Sequence, residues 1–373
     1  MIFKNATILD EHFHFVKKDL AVHEDRFAEN QIQEDDSAID CTGKTIIPGL
    51  IDIHTHGCAG CDNCDGTTES LQTIAKYQAS NGITSFLATT MTLSEEQLGN
   101  IFEVIGQYMK HPSDGAYIQG INMEGPFLNP EKKGAQNGKY IHQPDIEMFR
   151  RLNQKSGNQI KLVALSPELE DADHFITVLK DEVRISIAHT NASYEQAVQA
   201  ISAGVNHATH LFNAMPAFNH RDPSVVGAIF DSTVTPELIS DGIHIHPVMV
   251  RLAFSAIGTD RIILISDSMR ATGLQDGSYD LGGQTVYVKD KKATLADGTI
   301  AGSSTNLMEC VKKAISFGIP AEDAIKCATL NPAKAIGAEQ LCGSIQVGKY
   351  ADFVILDKND TVEQVYIKGK RFI

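Results

Sequence analysis

An α/β architecture, a (β/α)8 barrel of the TIM type with a small β-sandwich domain formed by both chain termini, follows from three features of this sequence. Eight apolar runs recur along its middle. Helical patterns separate most of them, and eight such units in about 290 residues fit a closed barrel better than an open sheet. The two ends share a β-type alternation rich in Val, Ile, Phe and Tyr, so they are expected to pair with each other. Residues 1–46 and 341–373 are therefore assigned to the small β domain and residues 47–340 to the barrel.

The terminal segments read MIFKNATIL and TGKTIIPG at one end, GSIQVGKYADFVILD and TVEQVYIKGKRFI at the other. The barrel strands are placed at Ile51–His56, Ile83–Thr89, Tyr117–Glu124, Lys161–Ser166, Arg184–His189, His207–Phe212, Val234–Ile239 and Arg261–Ser266. Between the first two, Thr67 to Asn81 is helical and Gly82 is its natural stop. After the fifth, Ser193 and Gln196 form a capping box and Gly204 closes the helix.

Hydrophobic residues at 42% and charged residues at 21% describe a soluble globular chain. No apolar run reaches the roughly 18 residues of a membrane span. The N-terminus lacks a basic stretch followed by an apolar one, so the expected setting is the cytoplasm. A net charge of −15 argues against nucleic acid or an anionic membrane as partner. An anionic substrate would need a local basic pocket. The seven cysteines are expected reduced. Cys58, Cys61 and Cys64 form a CxxCxxC run, a spacing found at iron–sulfur and, in part, zinc sites. No fourth cysteine follows at short range, so the run reads as free thiols on a Gly- and Asp-rich loop.

A barrel of this kind carries its chemistry at the C-terminal ends of its strands. The first strand ends in IDIHTHG, and a side-chain period of two points His54 and His56 the same way, with Asp52 on that face. The third ends at Glu124, the fifth at His189, and the sixth carries His210. The seventh leads to Asp241 and His244, the eighth to Asp267. Imidazoles and carboxylates gathered at one level suit a divalent cation; zinc, iron, manganese and cobalt all accept such donors. The donors outnumber the needs of one tetrahedral ion, so one or two ions per chain are expected. His207 reads as an ordinary core residue, and His12, His14, His23 and His111 as ordinary core or surface residues.

PGLIDIHTHG near the start and GSIQVGKYADFVILD near the end resemble the amidohydrolase superfamily, in which a metal-bearing barrel is joined to a small β domain made from both termini. More narrowly, MEGPFLNPEKKGAQ, AHTNAS, THLFNAMPAFNHRDP, DGIHI, SDSMRATG and AGSSTNLMECV, in that order, resemble the N-acetylglucosamine-6-phosphate deacetylase family over nearly the whole chain. The resemblance implies hydrolysis of the acetamide of N-acetylglucosamine 6-phosphate to glucosamine 6-phosphate and acetate. It places metal ligands on Glu124, His189 and His210, with His54 and His56 as candidates for a second ion and zinc as the foremost metal. It puts the general base on Asp267, which takes a proton from the attacking water and returns it to the departing amine. It puts sugar and phosphate contacts on Ala135, Gln136, Asn213, Ala214, Arg221, His244 and the backbone of Ile300, Ala301 and Gly302. It also implies a homodimer in which Arg221 reaches the neighbouring subunit's site, where its fork of donors suits a phosphate.

Gln136 stands where several members of that family have a histidine; an amide donates a hydrogen bond but is no acid. Lys132 and Lys133 read as surface charges. Three alternatives remain at this level: N-acetylgalactosamine-6-phosphate deacetylation, another amidohydrolase reaction such as N-acyl-amino-acid deacylation, and a barrel scaffold without catalysis. Binuclear relatives often bridge their ions with a lysine ending the fourth strand. Here Lys161 begins that strand, so Glu124 takes the bridging place.

Overall fold

A computed structural model describes residues 1–29 and 38–373. Residues 30–37, within the expected first part of the terminal β domain, lie outside the described residues. Eight parallel strands follow one another around the middle of the chain: Leu50–Thr55, Ile83–Thr90, Tyr117–Phe127, Ile160–Leu165, Arg184–Ile187, His207–Ala208, Thr235–Leu238 and Ile263–Leu264. Each pairs with the next. The ring closes where Thr55 bridges to Ser268, just past the eighth strand. There the Asp267 N–H donates to the His54 carbonyl at 2.9 Å and the His56 N–H to the Ser268 carbonyl at 2.8 Å.

Helices alternate with these strands. The first, α1 (Thr68–Ser80), is capped by Thr67, and α2 (Glu95–Lys110) by a Ser94–Gln97 capping box. The helix Tyr194–Ala203 begins at the Ser193–Gln196 box read from the sequence and ends at Gly204. Phe86, Phe102, Phe127, Phe149 and Phe175 belong to one large core between strands and helices. Burying each such side chain contributes about 1.5–3 kcal/mol.

Two of the expected strands are much shorter than their apolar runs. The sixth stops at Ala208 because His210, Phe212 and Ala214 all take positive φ, and such a succession turns the chain out of the extended conformation. The eighth stops at Leu264, and Asp267 likewise has φ +48. These apolar runs therefore supply both a short strand and the buried loop that follows it.

The two termini meet in one mixed eight-stranded sheet. Along it, Lys370–Arg371, Val362–Ile367, Phe353–Leu356, Thr45–Pro48, Ile2–Leu9, Phe15–His23 and Arg26–Ala28 are neighbours, and Ala38–Asp40 also pairs with Ile2–Leu9. Phe3 meets the rings of Phe353 and Tyr366 edge-on, both at 5.0 Å. Thr45–Pro48 pairs with Phe353–Leu356 and then runs through Gly49 into the first barrel strand, so this sheet anchors the strand that carries His54.

One element was not anticipated. Between the eighth strand and the helix Leu307–Ser316 lies a three-stranded antiparallel sheet, Gly277–Leu281, Gln284–Lys289 and Lys292–Thr294. No helix of the described residues is long and apolar enough to cross a membrane.

Candidate active site

The loop residues that end the strands converge. His189, His210 and Asp267 all lie one to three residues past a strand end and all take positive φ. That conformation turns each side chain off the strand line toward the barrel mouth. Two groups result, each with its donor atoms within 4.8 Å of one another: Glu124, His189 and His210, and beside it His54, His56 and Asp267. All six residues are buried.

Glu124 lies at the centre. Its Oε1 is 3.1 Å from the Nε2 of both His189 and His210, and its Oε2 is 3.2 Å from His56 Nε2. Asp267 Oδ1 is 3.3 Å from His56 Nε2 and 3.5 Å from His54 Nε2. His189 Nδ1 faces the Lys132 carbonyl at 2.8 Å, and a carbonyl only accepts. The hydrogen therefore sits on Nδ1, and Nε2 presents its lone pair to the cluster. Burial disfavours charge on His54, but Glu237, Glu124 and Asp267 overcome it and raise its pKa to about 9. Burial also works against the Asp267 carboxylate; His54 and His56 outweigh it and hold the group below its usual value.

Donor chemistry and orphaned atoms together fit a divalent cation. The Nε2 atoms of His189 and His210 lie 3.1 Å apart around one carboxylate oxygen. His54 Nε2 is buried with no hydrogen-bond partner among the described residues. Ring nitrogens crowded at one point, beside anionic carboxylates, are what a cation satisfies once it displaces their hydrogens.

Asp52 departs from its expected place. Strand pairing slips between Asp52 and Thr55, which breaks the period-two alternation. The Asp52 carboxylate instead accepts from Ser266 Oγ at 2.5 Å. Asp241 also stays out of the cluster: its Oδ2 accepts from His244 Nδ1 at 2.8 Å. Cys58 and Cys61 are register partners in a tight hairpin rather than parts of an open loop, and Cys64 Sγ accepts the Met91 N–H at 3.2 Å.

Above the cluster opens a cavity of about 500 Å³. His56, Glu124, His189, His210 and Asp267 line it, and so do the expected contacts Ala135, Gln136, Asn213, Ala214, His244, Ile300 and Gly302. Ala301 is buried, with its N–H on the Ala293 carbonyl at 3.2 Å. Gln136 is fastened at both ends: its Nε2 donates to Glu124 Oε2 at 2.6 Å and its Oε1 accepts the Thr92 N–H at 2.7 Å. Arg221 is exposed and does not line this chain's cavity. Lys132 and Lys133, read as surface charges, do line it, half-buried, because the turn that brings Ala135 and Gln136 inward carries them along.

Sequence reasoning missed two contributions. Leu281, Asp297 and Thr299, from the antiparallel insertion and the turn after it, line the cavity, and Gln284 Nε2 donates to the Ala135 carbonyl. The alternation in QTVYVK was the available signal. The other is Glu237, a carboxylate inside an apolar strand, which bonds to His54 and His207. A charged residue in such a run has to be paired, and that was its signal.

A family model described as "Amidohydrolase family" matches residues 45–372. The chain belongs to the amidohydrolase family, a class whose metal-dependent barrels this fold and donor set represent. Within that class its relatives are sugar-phosphate deacetylases. An N-acetylglucosamine-6-phosphate deacetylase of Bacillus subtilis (strain 168) is 41% identical over 334 residues, 87% of this chain and 83% of that protein. An N-acetylgalactosamine-6-phosphate deacetylase of Escherichia coli O157:H7 is 34% identical over 87% of each chain. Among solved structures, the N-acetylglucosamine-6-phosphate deacetylase of Pasteurella multocida superposes with a TM-score of 0.93 at 30% identity, covering 99% of this chain and 98% of that one.

Proposed function

We propose that this chain is a metal-dependent hydrolase that cleaves the acetamide of N-acetyl-D-glucosamine 6-phosphate, giving D-glucosamine 6-phosphate and acetate. The observation that carries this reading is the convergence of Glu124, His189, His210 and Asp267 on a cavity that Asn213, Ala214 and His244 also line. Glu124, His189 and His210 would hold one divalent ion, zinc in our reading, and His54, His56 and Asp267 a second. Such an ion, when bound, acidifies water and polarises a carbonyl.

The protein's own groups do the rest. Asp267 takes the proton of the attacking water as the new C–O bond forms. It returns that proton to the amine nitrogen as the C–N bond breaks, so water is added across the amide with no net change at the carboxylate. Gln136, held between Glu124 and Thr92, keeps one amide hydrogen for the sugar or its carbonyl. His244, its Nδ1 held by Asp241, would offer its other ring nitrogen to the phosphate. Arg221 would reach the phosphate of a neighbouring subunit in a homodimer, and the cytoplasm is the setting we assign.

The test is acetate release from N-acetylglucosamine 6-phosphate, its 4-epimer and the unphosphorylated sugar, before and after chelation and with zinc restored. Turnover confined to the phosphorylated sugars, lost on stripping and recovered with metal, is expected. Equal turnover without the phosphate, or full activity in the stripped protein, overturns the reading.

A further inference from the structure

One buried carboxylate lies outside the cavity yet touches three elements beneath it. Glu237, on the seventh strand, is fully buried. Its Oε2 accepts the His54 Nδ1–H at 2.8 Å and the backbone N–H of His210 at 3.1 Å. Its Oε1 accepts from His207 Nε2 at 3.1 Å, and His207 Nδ1 rests on Thr235 Oγ1 at 2.9 Å. Both oxygens of the carboxylate are thus committed, on opposite sides, to groups that donate.

The consequence falls on His54. A carboxylate has no hydrogen to give, so Nδ1 of His54 keeps its own. Its other nitrogen, Nε2, is therefore the one left to meet a cation, 3.5 Å from Asp267 Oδ1 and 3.6 Å from Glu124 Oε1. Without Glu237 that imidazole is free to place its hydrogen on either nitrogen and to turn about its bonds. His189 has a different orienting partner, the Lys132 carbonyl.

We infer that Glu237, braced by His207, is the positioning residue that makes His54 a metal ligand. Occupancy of the His54, His56 and Asp267 group depends on it, and occupancy of the Glu124, His189 and His210 group does not. The inference rests on the metal reading proposed above and adds to it which second ion is lost and why. Partners that orient a ligating histidine typically contribute 10–100-fold to metal affinity.

The experiment is equilibrium dialysis of the chelator-stripped full chain against buffered zinc, with bound metal counted by elemental analysis. Wild type, Glu237→Gln and His207→Gln are compared. The glutamine at 237 keeps the shape but offers an oxygen to one side only. Wild type is expected to take up two equivalents. Glu237→Gln should hold one of them at wild-type zinc concentrations and need 10–100-fold more free zinc for the other. His207→Gln should shift the same equivalent by a smaller factor. Thermal midpoints of the stripped proteins within a few degrees of one another separate this from general damage. The inference is overturned if both equivalents bind Glu237→Gln as they bind wild type, if both weaken together with a lowered midpoint, or if wild type holds a single ion. Wild type that releases acetate but gives any of these results leaves the proposed function standing. Wild type that binds no zinc and releases no acetate removes both.

Discussion

Asp267 Oδ1 sits between His54 and His56, which hold its carboxylate ionised, and in the reading proposed above it accepts the proton of the attacking water. Asp267→Asn keeps the shape and removes the basicity. It is expected to lower kcat by about 10²–10⁴-fold, with metal still bound at Glu124, His189 and His210. Steady-state kinetics beside metal analysis check this; near-normal turnover would take Asp267 out of the chemistry. Arg221 is exposed and does not line the cavity above the donor cluster of its own chain. Arg221→Ala should therefore chiefly raise KM for the phosphorylated sugar, and an unchanged KM would place it in solvent. Much of this residue-level picture was legible in the sequence, because HTH, MEGPF and AHTNAS mark polar side chains at the ends of apolar runs. Glu237 and the cavity-facing Lys132 and Lys133 were not. A carboxylate's partners and a lysine's direction depend on elements far away in the chain.

Among the elements, α2 shows how packing decides a substitution that propensity alone would misjudge. It contains two glycines, and alanine is favoured over glycine in a helix by about 1 kcal/mol. A Cβ on Gly99 would meet only the Lys155 and Leu152 side chains, the nearest atom at 3.5 Å. One on Gly106 would lie 2.3 Å from the Ser156 carbonyl oxygen. Gly99→Ala is therefore expected to stabilise by up to about 1 kcal/mol. Gly106→Ala should destabilise by about 1–3 kcal/mol, because a backbone has to move. Urea unfolding of the two variants decides it; the same sign for both would refute the argument. The strands and the two capped helices were readable because their signals are local. The sixth and eighth strands were over-read, since an apolar run does not say where φ turns positive.

At the scale of the molecule, the terminal sheet and the barrel are joined through a buried carboxylate. Asp352 accepts from Tyr117 Oη of the third barrel strand and from the Lys368 N–H of the C-terminal hairpin, both at 2.7 Å. Burial raises its pKa from 3.8 to about 6, against the pull of those hydrogen bonds. The folded chain therefore holds this proton where the unfolded chain has released it. The contribution of Asp352 to stability is fully present below pH 4 and is lost as pH rises through about 6. In Asp352→Asn that loss disappears. The difference in unfolding free energy between wild type and variant should thus change across pH 4–6 and be flat above about 7; a flat difference throughout would refute it.

Where the first and eighth strands meet, the ladder amounts to the Thr55–Ser268 bridge and a few bonds around it. His54 and His56 stand on one side of that seam and Asp267 on the other. A cation held by all three would be a clasp as well as a reagent, and catalysis and closure would share one fastening. Amide hydrogen exchange at residues 54–57 and 266–268 should then speed up on chelation far more than elsewhere in the ring.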